Sequence, residues 1–230
     1  MIKYPPIKIN LGLNVLRKRE DGFHDLETLF LESGRFHDTL EIVTGDDYSR
    51  TMASLAARYG DRGGICDGDI PALAQGISEN GKLMITVARA EGVDWDVRKD
   101  LCAKAYALLD NDFKLPPAKI FLEKNSPVGA GLGGGSADAA YTLTMLNDIC
   151  SLGLSTEQLA GYAARLGSDC AFFIFGRPMF GEGRGEVLTP FELPVDIVDA
   201  GGAACSGSRT GSSISGNDGS GSGNDSSGTG

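Results

Sequence analysis

The residues with the most chemistry in this chain are Gly129-Ala130-Gly131-Leu132-Gly133-Gly134-Gly135-Ser136, entered through Pro127. A strand-like run, 118–124, precedes them and a helical run, 137–149, follows. Glycines let a backbone turn tightly and bring its amides up to an anion, and a helix start adds unpaired N–H groups with partial positive charge. Strand, glycine loop and helix start together suit the phosphates of a nucleotide. No Gly-Lys-Ser/Thr closes the loop, so it is not a Walker A motif and brings no lysine of its own to the terminal phosphates. A flexible glycine turn without a ligand is the plain alternative, and the flanking strand and helix weigh against it. Ser136 suits either a phosphate or Mg²⁺ ligand or a simple helix cap.

Other candidates lie far away in sequence. Asp169 follows Gly167 and precedes the apolar Ala171-Phe172-Phe173, which fits a general base at a buried edge or, more commonly, a helix N-cap. Lys8 and Asn10 fall on one face of an alternating run, where a lysine ordinarily snorkels outward. Phe23 and His24 offer stacking and edge hydrogen bonds to a flat base, or are a loop aromatic beside a surface histidine. Lys124 and Arg184 are further cations that could meet phosphate, with surface charge the better reading of each.

Strands are expected at 7–16, 27–31, 38–43, 82–88 and 118–124 from alternation and β-branched content. Helices are expected at 100–109, with Asp100 as N-cap, at 137–149, and at 156–166 behind a Ser155-to-Gln158 capping box. Residues 172–175 and 186–189 read as closing strands. Strands and helices without strict alternation indicate an α+β fold. The span 44–80 reads as a long insertion, and 201–230, rich in Gly, Ser, Asn and Asp, lacks the apolar content to fold.

The chain has 230 residues, 41% hydrophobic and 23% charged, with net charge −10. That composition is ordinary for a soluble protein and argues against nucleic acid as a partner. No apolar run approaches the roughly 20 residues that span a bilayer, and no basic-then-apolar leader is seen, so a cytoplasmic location and no membrane are expected. Five scattered cysteines show no Cys-x-x-Cys spacing; reduced thiols and no metal site are expected.

Three stretches in order, Pro6-Ile7-Lys8-Ile9-Asn10, the glycine loop, and Leu166-Gly167-Ser168-Asp169-Cys170-Ala171-Phe172-Phe173, resemble the GHMP family of small-molecule kinases. The resemblance runs from about Lys3 to about Pro194. It implies an N-terminal ATP-binding and catalytic domain over 1–195, like domain 2 of ribosomal protein S5. A second, ferredoxin-like domain would be largely missing, with 196–230 as a Gly/Ser-rich tail. It implies ATP and Mg²⁺ as cofactors, Lys8 and Asp169 as the catalytic pair, and Asn10 on the acceptor. The segment Asp21-Gly22-Phe23-His24-Asp25-Leu26 is most similar to members whose acceptor is a cytidyl-linked methylerythritol, phosphorylated at its 2-hydroxyl in non-mevalonate isoprenoid precursor biosynthesis. Family members carry Ala and Pro where Ser168 and Ala171 stand, and the carboxylate is kept. The alternatives are a kinase for another small alcohol and a nucleotide-binding module without turnover.

Overall fold

A computed structural model of the chain describes residues 1–20, 22–45 and 72–192. Its strands are β1 (Ile2–Lys3), β2 (Pro6–Lys18), β3 (His24–His37), β4 (Thr39–Thr44), β5 (Leu73–Ile77), β6 (Leu83–Arg89), β7 (Ala118–Lys124), β8 (Met179–Glu182) and β9 (Val187–Pro190). The helices are α1 (Leu101–Phe113), α2 (Gly134–Ile149), α3 (Thr156–Leu166) and α4 (Cys170–Phe175), with a 3₁₀ turn at Val97–Lys99. The α+β expectation holds.

One sheet runs β1-β4-β7-β6-β5 and the other β2-β3-β8-β9. Only β6 and β7 pair in parallel among the described strands. A parallel pair needs a crossover, and α1 supplies it. Leu40, Ile42, Ile85, Val87, Ile120 and Leu122 of the first sheet bury against Leu109 of α1 and Leu143 and Leu146 of α2. A second cluster, Phe30, Ala137, Ala140, Phe172, Phe173 and Met179, joins the other sheet to α2 and α4. Burying each of those phenylalanines contributes roughly 2–3 kcal/mol. That cluster sets where β2 stands relative to the glycine loop.

Local signals set several boundaries. Asp100 caps α1 by accepting from the Cys102 amide at 2.9 Å. Ser155 and Gln158 form the reciprocal capping box before α3.

Three expectations are corrected. Residues 172–175 belong to a helix, α4, not a strand; a short run that is apolar at every position has no period to read, and Gly176, at φ 58°, closes it as a left-handed cap. Within the 44–80 span, residues 73–77 form the edge strand β5, paired with β6. Residues 46–71 of that span, and the tail 196–230, lie outside the described residues. The helix after the loop begins at Gly134 rather than 137, and Gly133 is its N-cap. Ser136 therefore sits within the first turn and is not the cap. Strand β2 forms as its alternation predicts, but its burial does not follow that alternation: Lys8 is 5% exposed, as buried as Ile7, while Ile9 is 48% exposed and Leu11 and Leu13 are exposed as well.

Candidate active site

Its burial puts Lys8 at the centre of a polar cluster. Its Nζ donates to Asn10 Oδ1 at 2.8 Å, stands 3.4 Å from Asp169 Oδ2, and lies 4.7 Å from the centroid of the Phe30 ring. Asn10 Nδ2 donates to Thr28 Oγ1 at 3.1 Å, and Thr28 Oγ1 donates to the Gly12 carbonyl at 2.6 Å. Both ends of the Asn10 amide are thus engaged. It holds Lys8 in place. Asp169 stands at the N-cap position of α4 without a side-chain capping bond, so its carboxylate faces Lys8 instead. The plain N-cap reading fails here.

Lys8 also fixes the glycine loop. Its backbone amide donates to the Leu132 carbonyl at 2.8 Å. A Cβ on Gly133, whose φ is +70°, would stand 3.1 Å from Lys8 Cγ and 3.2 Å from Phe173 Cε2. Only glycine fits that backbone and that space. The loop from Pro127 to Ser136 lines a cavity of about 410 Å³ together with Trp95, Lys99, Lys124 and Asp138. Gly134, Gly135 and Ser136 at the start of α2 line this cavity, and a helix start carries unpaired amides with partial positive charge. Ser136 is half-buried, and burial pushes the pKa of the Cys170 thiol up to about 11.

Beneath the loop lies a buried ionic cluster that the sequence reading missed. Lys124, read there as a surface cation, is 7% exposed. Its Nζ bonds Asp38, and donates to Asp138 Oδ2 at 2.6 Å. Asp38 also accepts from the amides of Asn125 and Ser126, each at 2.7 Å, and from Ser126 Oγ at 2.8 Å. Burial pushes the Asp138 carboxyl well above the usual range; Lys124 opposes this, and Asp38 and Asp100 add to it. Burial alone would depress the Lys124 ammonium, but Asp138 and Asp38 outweigh it and hold it above its ordinary value. Asp38 is far away in sequence, so only an acid within an otherwise Ala- and Gly-rich helix start, Asp138, hinted at the cluster.

Trp95 was missed as well. Its indole N–H donates to Asp100 Oδ2 at 3.1 Å, which holds the ring at the rim of the cavity.

Phe23 and His24 stand elsewhere, at the far end of the β2–β3 ribbon, where Lys18 pairs with His24 while Lys8 pairs with Glu32. Both are exposed. The Arg19 amide, donating to the Phe23 carbonyl at 2.8 Å, closes that end. The Arg184 guanidinium lies over Phe23, 5.1 Å from its centroid. Thus Lys8, Asn10, Asp169 and the loop come together, and Phe23 and His24 form a separate station.

Glu32, opposite Lys8 in the ladder, carries an Oε1 that is buried and has no hydrogen-bond partner among the described residues. Burial raises its pKa from 4.5 to about 7. The folded state therefore keeps a proton that the unfolded chain releases, so stability present below pH 4.5 is lost as pH rises through about 7. At 1.36 kcal/mol per unit, reduced for partial exposure, the loss is about 2 kcal/mol. Glu32→Gln is expected to be more stable than the parent at pH 8 and near parity at pH 4.5, as measured by urea unfolding.

Residues 100–177 match the family model "GHMP kinases N terminal domain". The 4-diphosphocytidyl-2-C-methyl-D-erythritol kinase of Bacteroides fragilis is 40% identical over 193 residues, covering 84% of this chain and 58% of that protein. The enzyme of the same name from Bacteroides thetaiotaomicron is 41% identical over the same shares. This chain thus spans somewhat over half the length of these curated relatives. Among solved structures, a 4-(cytidine 5'-diphospho)-2C-methyl-D-erythritol kinase superposes with a TM-score of 0.57 at 30% identity, covering 84% of this chain and 56% of the other. Mevalonate pyrophosphate decarboxylase from Streptococcus pyogenes shares the fold, with a TM-score of 0.51 at 12% identity, covering 84% of this chain and 51% of that one.

Proposed function

We propose that this chain, which carries the N-terminal domain of the GHMP kinases, transfers the γ-phosphoryl group of ATP to the 2-hydroxyl of a cytidyl-linked methylerythritol. The observation that carries this reading is the Lys8–Asp169 pair, set beside the glycine loop by the Lys8 amide on Leu132. Binding a nucleotide needs a phosphate cradle. It does not need a buried lysine with a carboxylate at 3.4 Å. Phosphoryl transfer to an alcohol uses both.

In this mechanism the loop amides and the start of α2 hold the β- and γ-phosphates, where the helix's positive end favours their charge. The acceptor hydroxyl sits between Asp169 and the γ-phosphorus. Asp169 takes its proton as the oxygen attacks in line, and the bond from phosphorus to the β,γ-bridging oxygen breaks, releasing ADP. Lys8 orients the carboxylate and the hydroxyl, and Asn10 orients Lys8. Among the described residues no group of three His, Cys, Asp or Glu side chains could cage a metal ion. Mg²⁺ fits here as an ion carried on the phosphates, with the Ser136 hydroxyl at the helix start as its protein neighbour. When bound, it neutralises charge on the transferring group.

The net charge of −10 argues against nucleic acid as a partner, and a cytoplasmic location belongs to the same reading. Trp95 is the chain's one tryptophan. Titration with Mg·ATP should change its emission in a saturable way, and inorganic phosphate at the same concentration should not. Acceptor-dependent ADP release with Mg·ATP tests the reaction. Saturable ATP binding with background turnover would instead establish the nucleotide-binding module.

A further inference from the structure

The β8–β9 turn stands between the two stations of the site. Leu26 of β3 donates its amide to the Gly183 carbonyl at 2.7 Å, which ties the turn to the ribbon. Gly185 is buried against Phe30 and Asp169: a Cβ there would lie 3.2 Å from Phe30 Cζ and 3.8 Å from Asp169 Oδ1. Its neighbour Arg184 points the other way, with its guanidinium over Phe23 at 5.1 Å. The residues are therefore arrayed in the order Phe23 and His24, Arg184, Gly185, then Asp169 with Lys8.

A nucleoside-diphosphate-linked alcohol has its parts in the same order: a flat base, a ribose, a diphosphate, then the polyol that bears the reacting hydroxyl. With the base on Phe23 and the hydroxyl at Asp169, the diphosphate runs past Arg184. We propose that Arg184 recognises the diphosphate of the acceptor, its guanidinium leaving the face of Phe23 as the base takes that face. This inference rests on the acceptor reading above and assigns a residue to a part of the acceptor that Lys8, Asn10 and Asp169 do not reach.

The side chain is suited to the move. Arg184 is 43% exposed and its ion pair with Glu186 is long, at 3.7 Å, so little holds it in place. Glu186 Oε2 accepts from the Arg184 amide at 2.5 Å and keeps the backbone of the turn fixed while the side chain swings. A guanidinium presents a planar fork that meets two phosphate oxygens at once, which an ammonium cannot. On a chain of net charge −10 such a local cation also opposes the general repulsion of an anionic substrate.

The test is calorimetric titration of the full chain, with its nucleotide site saturated by a non-hydrolysable Mg·ATP analogue, using cytidine and CDP as separate probes. Arg184→Met is expected to weaken CDP about tenfold and leave cytidine unchanged or tighter, since the base no longer has a guanidinium to displace. Arg184→Lys should fall between, and 0.5 M salt should reduce the parent's preference for CDP over cytidine. Equal weakening of both probes would make Arg184 a wall for the base and overturn the proposal. An unchanged CDP affinity would overturn it too. If the parent binds neither probe while the Trp95 response to ATP is intact, the proposal falls together with the base station. ADP release that fails while the two probes behave as expected would sink the kinase reading and leave Arg184 standing.

Discussion

Asp169→Asn is expected to lower acceptor-dependent ADP release by about 10²- to 10⁴-fold, the usual share of a general base, with the Trp95 response to ATP unchanged. The substitution keeps the shape of the side chain and its contact with Lys8 but cannot accept a proton. It should cost little stability. Asp169 makes no capping bond to α4, so no helix cap is lost, and its side chain is 29% exposed, so no buried group is stranded. Lys8 keeps Asn10 Oδ1 and the Phe30 face as partners. Single-turnover ADP release and a thermal melt, taken on the same preparation, separate the two effects. Turnover equal to the parent's would remove Asp169 from the reaction. A melt lowered by ten degrees would make it a structural residue. Asp169→Ala should match the Asn variant in rate, because what is lost is the proton acceptor and not the shape.

Much of this site was legible because its signals are local. The strand Ala118–Lys124 and the glycine loop that follows are adjacent in sequence, and the capping box at Ser155 and the cap at Asp100 each span a few residues. The roles of Lys8 and Asp169 came from the family resemblance rather than from local pattern, which placed Lys8 in solvent. Alternation does show a strand, but not which face is covered. In β2 only the first residues are covered, Ile7 and Lys8 alike, and Lys8 is covered because it faces Phe30, Phe173 and the loop. Phe172-Phe173 misled for a related reason. Two adjacent phenylalanines that both bury suit a helix end wedged between α2 and β3, and their spacing carries no period. The cluster around Lys124 was nearly out of reach: Asp38 stands 86 residues away with no pattern tying the two, and only Asp138 in the helix start hinted at it. Trp95 was equally silent: its role follows from its place at the cavity rim, which the Val97–Lys99 turn and α1 set between them.

Lys124→Met should cost the most stability of any single change near the site, about 3–5 kcal/mol. The Lys124, Asp38 and Asp138 side chains are 5%, 0% and 1% exposed, so water cannot replace the lost ammonium. Asp38 retains the amides of Asn125 and Ser126. Asp138 retains much less, for its Oδ1 already lacks a partner among the described residues. The loss should therefore depend on pH, and its sign follows from Asp138. Its folded pKa lies well above the unfolded 3.8, so the folded state holds a proton that the unfolded chain gives up, and stability falls as pH rises from 3.8. Removing the opposing ammonium pushes that carboxyl higher still and steepens the fall. Thermal melts should show Lys124→Met roughly 10 °C below the parent at pH 8, at about 2–4 °C per kcal/mol for a chain of this size, and closer to it at pH 4.5. Adding Asp138→Asn removes one stranded carboxylate and should recover part of the loss at pH 8 but little at pH 4.5. A deficit equal at both pH values, and not relieved by Asp138→Asn, would mean that Lys124 matters for packing alone. The effect reaches the phosphate cradle because a Cβ on Gly134, the first residue of α2, would stand 3.4 Å from Lys124 Nζ. With the ammonium gone, buried negative charge is left beneath a loop meant for anions, so ATP affinity measured through Trp95 should fall together with the melting temperature.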